Sequence, residues 1–217
     1  MAEPTRLVLV RHGESEWNAE RRLQGHGGTG LTALGAAQAG AVAEHLRGAY
    51  PQVDLMVRSD LPRVAETAAP WETGFSGTVR LDRRWREIDV GSWSGLTWDE
   101  VAERDPETLA AWRAGIDVRR GGAETFAELR ARVWTAIDAL RGTGGVVVVF
   151  THGGPIRVGV AEALGLPPLG ESALAEIANC AITELVLYES STVLAAYNVA
   201  DHLASLDGEA VDDQLRR

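Results

Sequence analysis

Two short stretches of the chain place a histidine directly after a run of apolar, mostly β-branched residues. Leu7-Val8-Leu9-Val10 leads into Arg11-His12-Gly13-Glu14-Ser15, and Val146-Val147-Val148-Val149-Phe150 leads into Thr151-His152-Gly153-Gly154. Each run reads as a buried strand that ends where the chain turns towards a helix. Side by side in a parallel sheet, the two strands would bring both imidazoles out at the carboxyl edge, where open α/β sheets bind ligands. Arg11 precedes the first histidine, and a guanidinium beside an imidazole suits an anion better than a metal cation. Arg63 falls in the first turn of a helix after Leu55-Met56-Val57, where the helix N-terminus already favours negative charge. Near Arg11 it would give two planar forks for one phosphate. A neutral histidine can attack phosphorus and carry the phosphoryl group. The reaction then needs positioning, charge stabilisation and a proton donor for the leaving oxygen. Glu87, in Arg86-Glu87-Ile88-Asp89-Val90-Gly91-Ser92-Trp93, is the candidate donor because a turn-rich segment follows a strand-like run there; Asp89 is its rival.

The elements that must hold these groups alternate between strand-like and helical patterns, which argues for a layered α/β fold. Thr32 can cap a helix that Pro51 stops near Tyr50. Ser59 and Asp60 are cap candidates for the next helix, with Pro62 in its first turn. Val79-Arg80-Leu81 reads as a further strand. Leu129, Val133, Ile137 and Leu140 fall at helical spacing after Phe126, and Gly142, Gly144 and Gly145 end that helix. Gly154 to Leu164 reads as a helix, and Ile182–Tyr188 with Thr192–Tyr197 as a hairpin around Glu189-Ser190-Ser191. The stretch from Glu87 to Thr125 reads as an insertion over the sheet edge. The expected organisation is one domain over residues 1–204 and a flexible acidic tail over 205–217.

With 217 residues, 45% hydrophobic and 24% charged, the chain has material for one globular core. A net charge of −10 argues against a nucleic-acid surface. It also means that a site for an anionic substrate must be locally basic. Cys180 is the sole cysteine, so no disulfide can form within the chain, and a reducing compartment is expected. No signal-like segment and no apolar run near the ~20 residues of a bilayer span is present, so a soluble cytoplasmic protein without membrane contact is expected.

Taken together, these motifs resemble the histidine phosphatase superfamily, also called the phosphoglycerate mutase-like family. The resemblance rests on Leu9-Val10-Arg11-His12-Gly13-Glu14-Ser15, Gln24-Gly25, Leu31-Thr32-Ala33-Leu34-Gly35, Ser59-Asp60-Leu61-Pro62-Arg63-Val64-Ala65-Glu66-Thr67-Ala68 and Thr151-His152-Gly153-Gly154-Pro155-Ile156-Arg157. They occur in family order over roughly residues 6 to 200. The resemblance implies a three-layer α/β/α sandwich with a mostly parallel central sheet. It implies His12 as the residue that becomes phosphohistidine, and Arg11, Arg63 and His152 as the phosphoryl clamp. Asn18 and the amide of Gly153 assist, Gln24 is a further candidate contact, and Glu87 acts as acid and then base. No metal and no other cofactor is implied, since the arginines supply the positive charge.

The family holds mutases and phosphatases. Mutases that resemble it carry Glu-Arg-His-Tyr-Gly around the acid. Here Glu87-Ile88-Asp89-Val90-Gly91, Trp93-Ser94-Gly95-Leu96-Thr97 and Gly121-Gly122-Ala123-Glu124-Thr125 follow the phosphatase pattern, and no long basic insertion is present. The expectation is a metal-independent phosphatase acting on a small phosphorylated metabolite. The alternatives are a cofactor-dependent phosphoglycerate mutase and a non-catalytic phospho-ligand-binding module. Ser94 stands where relatives often have Glu, and Gly28 where Asp is common. Arg119-Arg120 reads as two solvated surface charges, with recognition of a second anionic substrate group as the alternative. Gly25-His26-Gly27-Gly28-Thr29-Gly30 matches G-x-G-x-x-G but follows a polar run instead of a strand, so it fails as a dinucleotide loop. His26, His45 and His202 read as structural or exposed, Cys180 as a buried apolar residue, and Trp17 and Trp93 as neighbours of the substrate. A homodimer through the edge of the C-terminal hairpin is compatible with the pattern but not required by it.

Overall fold

The computed structural model describes residues 3–206. Strand β1 (Thr5–Arg11) is buried along nearly its whole length, as its unbroken apolar run requires of a strand covered on both faces. It pairs in parallel with β4 (Val146–Thr151) from Arg6 opposite Val146 to Arg11 opposite Thr151. On its other side it pairs antiparallel with β5 (Ile182–Leu187). With β2 (Leu55–Arg58), β3 (Thr78–Leu81) and β6 (Thr192–Val199), the six strands lie in the order β3-β2-β4-β1-β5-β6. The β1–β4, β2–β4 and β2–β3 pairs are parallel, and the hairpin adds the antiparallel pairs. The sheet is therefore mostly parallel, as expected.

Alternation along the strands divides the core in two. Leu7, Leu9, Val147 and Val149 face helices α6 (Phe126–Asp138) and α7 (Gly153–Ala163), packing with Leu129, Val133, Ile137 and Ile156. Val8, Val10, Val148 and Phe150 face α2 (Ala33–Ala49) and α3 (Pro62–Glu72), packing with Val42, Leu46, Val64 and Ala68. This is the three-layer α/β/α arrangement. Each buried Val, Leu, Ile or Phe side chain among these contributes about 1.5–3 kcal/mol of transfer free energy.

Local chemistry sets the boundaries. Thr32 caps α2 by accepting from the Gly35 amide at 3.0 Å. Thr125 caps α6 in a reciprocal box with Glu128. For α3 the expected cap is corrected: Leu61 occupies the N-cap without a side-chain bond, Ser59 accepts from the Leu61 amide, and Asp60 is drawn away to Arg86. The helix after β4 begins one residue earlier than expected, at Gly153, and β6 runs two residues further, to Val199.

Residues 87–125 form a cover of short pieces: a 3₁₀ turn at Gly91–Trp93, α4 (Trp98–Arg104), α5 (Pro106–Arg113) and a 3₁₀ turn at Arg120–Gly122. Trp98 and Trp112 stack in it at 4.9 Å with planes 3° apart. The remaining short helix, α1 (Glu16–Ala19), follows β1 and is capped by Ser15. The acidic tail expected from residue 205 lies outside the described residues from 207 onward.

Candidate active site

The pairing of β1 with β4 ends at Arg11 and Thr151, so His12 and His152 are the next residues out of two adjacent strands. Their ring centroids lie 5.2 Å apart, at an interplanar angle of 65°. His12 Nδ1 donates to the Gly13 carbonyl at 2.7 Å, which assigns the proton to Nδ1 and leaves the lone pair on Nε2. The Arg63 Nε–H approaches that lone pair at 3.3 Å. Asn179 holds the His12 carbonyl at 3.0 Å. His152 Nε2 shares a hydrogen bond with Ser59 Oγ at 3.0 Å, while its Nδ1 is buried without a partner. Burial first, then the charges of Arg63 and Arg11, push His12 well below the ordinary histidine value. His152 is lowered in the same way, by burial and then Arg63. Both imidazoles are thus neutral near pH 7, as a histidine nucleophile must be.

The positive charge comes from two arginines under different constraints. Arg63 is almost wholly buried, and Nη1 and Nη2 donate to the carbonyls of Gly27 and Gly25, each at 2.8 Å. Burial lowers its pKa to about 10, with Glu87 acting against the shift, so it stays charged at neutral pH. The expected open fork is therefore partly committed: Arg63 ties the Gly25–Gly27 loop to His12. Arg11 Nη1 bonds the Ile177 carbonyl, and its Nε is buried with no partner.

Glu87 reaches the same space from the far side. Its carboxylate accepts from the Ile88 amide at 2.8 Å and from the Gly154 amide at 3.2 Å, in the first turn of α7. A Cβ on Gly154 would stand 2.1 Å from Glu87 Oε1, so the missing side chain makes room for the carboxylate. The Glu87 carbonyl is held by Arg132 Nη2 at 2.8 Å and His26 Nε2 at 2.9 Å. Arg132 also donates to the carbonyls of Arg84 and Arg86 and makes a two-point ion pair with Glu124, at 2.6 and 2.8 Å.

His12, Arg11, Arg63, Glu87, Asn18, Gln24 and Gly153 all line one cavity of about 440 Å³. His152 stands behind it, in edge contact with His12. Asn18 Oδ1 also caps α1, and the Ser15 hydroxyl lies 3.0 Å from both Asn18 Oδ1 and Gln24 Oε1. Ser94 donates to the Gln24 carbonyl. A larger hollow of about 540 Å³ opens by Arg47, Trp71 and Phe75, near the amino ends of β2 and β3, and contains neither histidine. Among the described residues no group of three or more His, Cys, Asp or Glu side chains is arranged to hold a metal ion.

Two expectations are corrected, for Trp93 and for Arg120, and one is met, for His26. Trp93 is a core residue whose Nε1 donates to Asp105, and Trp98 takes its place in the cavity wall beside Trp17. His26 is structural, as expected, and braces the Glu87 segment through its carbonyl. Arg119 is an exposed partner of Glu128, but Arg120 is 8% exposed and lines the cavity, because aromatic rings cover it. Arg132 and Asn179 were not legible as site residues. Two arginines, Arg130 and Arg132, lie between Leu129 and Val133 on this core-facing helix, so the sequence does not single out Arg132.

Residues 7–200 match the family model described as the histidine phosphatase superfamily, branch 1. A protein of Arabidopsis thaliana named metal-independent phosphoserine phosphatase is 33% identical over 210 residues, 94% of this chain and 86% of that one. An Enterobacter protein named probable phosphoglycerate mutase GpmB is 33% identical over 219 residues, 97% of this chain and 99% of that one. The solved mycobacterial glucosyl-3-phosphoglycerate phosphatase in complex with VO3 superposes with a TM-score of 0.78 at 32% identity, covering 90% of this chain and 99% of that one. The match to a set of mycobacterial relatives, 37% identical over 159 residues, spans 43% of their length.

Proposed function

The chain belongs to the histidine phosphatase superfamily, branch 1, and on that premise we propose that it hydrolyses small phosphomonoesters through a phosphohistidine on His12. The observation that carries this reading is the His12 ring: Nδ1 is committed to Gly13, which leaves the lone pair on Nε2, and that atom faces the cavity cations with Arg63 Nε–H 3.3 Å away. In the first step Nε2 attacks phosphorus, the bond to the leaving oxygen breaks, and Glu87 delivers the proton that oxygen needs. In the second a water attacks the phosphohistidine, Glu87 takes its proton, and the nitrogen–phosphorus bond breaks. Arg11, Arg63 and His152, with Asn18 and the Gly153 amide, stabilise the equatorial oxygens, and Gln24 lines the rim. Fixed cations in a water-poor site strengthen such stabilisation. No step requires a metal, because Arg11 and Arg63 carry the charge.

Glu87-Ile88-Asp89-Val90-Gly91 supports hydrolysis over phosphoryl exchange between two substrates. The relatives named for phosphoserine and glucosyl-3-phosphoglycerate hydrolysis point to small phosphorylated metabolites, and a cavity of about 440 Å³ suits them. The net charge of −10 speaks against a nucleic-acid substrate, and no described helix is long and apolar enough to cross a membrane. A single buried thiol, Cys180, is suited to the cytoplasm.

Phosphate release from a panel of phosphomonoesters, measured with EDTA present, tests the proposal, beside conversion of 3-phosphoglycerate to 2-phosphoglycerate. Release should persist in EDTA and fall by at least about a thousandfold in His12→Ala. Isomer conversion with little release would assign a mutase. Phosphate binding without turnover would assign a binding module.

A further inference from the structure

Among the described residues, Arg120 is the one buried or half-buried arginine of the cavity whose charge has no acceptor; Arg21, which also lines it, is exposed to solvent. Among the described residues it forms no ion pair, and its Nε is buried without a hydrogen-bond partner. The other buried or half-buried arginines around the cavity are engaged: Arg11 and Arg63 with backbone carbonyls, Arg22 with Glu20 and Glu100, Arg157 with Glu176. What holds Arg120 is aromatic. Its guanidinium carbon lies 4.6 Å from the Trp112 ring centroid and 4.3 Å from that of Phe126. Stacking of this kind occupies the faces of the planar cation and leaves its N–H edge for an acceptor.

The backbone beneath it is fixed. Arg120 begins the 3₁₀ turn whose Gly121 has φ +54°, and a Cβ there would meet the Val90 carbonyl oxygen at 2.1 Å. The turn therefore interlocks with the segment that follows Glu87. A buried cation without a counter-charge is costly unless something supplies one. Burial lowers Arg120 to about 10, with Glu87 and Asp117 acting against the shift, so it is still a cation at neutral pH.

We propose that Arg120 forms a second anion subsite, which reads a carboxylate on the substrate while the His12 centre holds the phosphoryl group. The substrate class is then a small phosphomonoester that also carries a carboxylate. The planar guanidinium edge suits that planar, two-oxygen group. This inference rests on the phosphatase reading for its kinetic test but not for its binding test.

A matched pair of compounds separates the subsite from the rest of the cavity: 3-phosphoglycerate and glycerol 3-phosphate, which differ by a carboxylate in place of a hydroxymethyl group. Arg120→Met keeps the aliphatic stem against the rings and removes the charge. It should lower kcat/KM for 3-phosphoglycerate by about 10- to 100-fold, mainly through KM, while glycerol 3-phosphate changes by less than about twofold. Arg120→Lys should recover part of the loss. Equal losses on both compounds would mean that Arg120 only packs the cover, and no loss on either would mean that it touches neither; each result overturns the subsite. If the wild-type protein turns over neither compound, the phosphatase reading is judged by the wider panel alone, and calorimetric binding still decides the subsite. Tighter binding of 3-phosphoglycerate than of glycerol 3-phosphate, abolished in Arg120→Met, upholds the subsite. Equal affinities in the wild-type protein overturn it.

Discussion

The tolerance that bears most directly on the Glu87 carboxylate is its gap to Gly154. Any Cβ at 154 would overlap the Glu87 carboxylate, which is the far end of a flexible side chain and can swing away. Gly154→Ala should therefore fold with a stability change of less than about 1 kcal/mol, since Ala suits a helix better than Gly, yet displace the acid. Its kinetic signature should copy Glu87→Gln: loss of about a hundredfold or more on alkyl phosphates and a smaller loss on aryl phosphates, whose leaving groups need less protonation. A Gly154→Ala variant as active on alkyl phosphates as the parent would show that Glu87 is not the donor. At this scale the sequence was informative wherever chemistry follows a strand end, as for His12 and His152. It was silent on Asn179 and Arg132, because their partners are backbone carbonyls 167 and 45 residues away. A hydrogen bond to a distant carbonyl leaves no mark in residue type. For Arg120 the sequence misled, since nothing in Arg119-Arg120 reveals that Trp112 and Phe126 close over the second arginine and not the first.

Between elements, the decisive connection is the ion pair of Arg132 on α6 with Glu124, clamped around the Arg84–Glu87 segment. Both side chains are largely shielded, and Arg132 satisfies three carbonyls at once. Arg132→Ala should cost about 2–3 kcal/mol in denaturant unfolding, mostly from acceptors left without donors. It should also lower kcat on alkyl phosphates more than it raises KM, because it loosens the acid and not the phosphate clamp. Arg132→Lys should restore little, having no fork to bridge several oxygens; full recovery with Lys would reduce the clamp to a simple charge. The regular elements were legible from periodicity: β1, β2, β4, the hairpin, α2 and α6 fall within a few residues of expectation. The cover over residues 87–125 was not resolved into α4 and α5, because short pieces held by tryptophan stacking have neither period nor length to betray them.

For the molecule as a whole, two neutral histidines in the core tie folding to acidity. The unfolded chain takes up protons on His12 and His152 near the ordinary value of about 6.5, whereas the folded pKa values lie well below it. Their contribution is complete above that value and shrinks as pH falls towards the folded values, by up to about 1.4 kcal/mol per pH unit for each histidine. Urea titrations at pH 7 and 5 should show a steeper loss in the parent than in a His12→Asn, His152→Asn double variant; equal slopes would mean that the folded imidazoles protonate freely. Strand order carries one more consequence, in time. The first strand synthesised, β1, has β4 and β5 as its only neighbours, and neither begins before residue 146. At about 5–20 residues per second the ribosome needs on the order of ten seconds to reach them. Throughout that interval His12 stands at the end of a strand without a sheet. The nascent chain must be kept from pairing elsewhere, and a shortened product that stops before β4 has neither neighbour for β1 and no His152 beside His12.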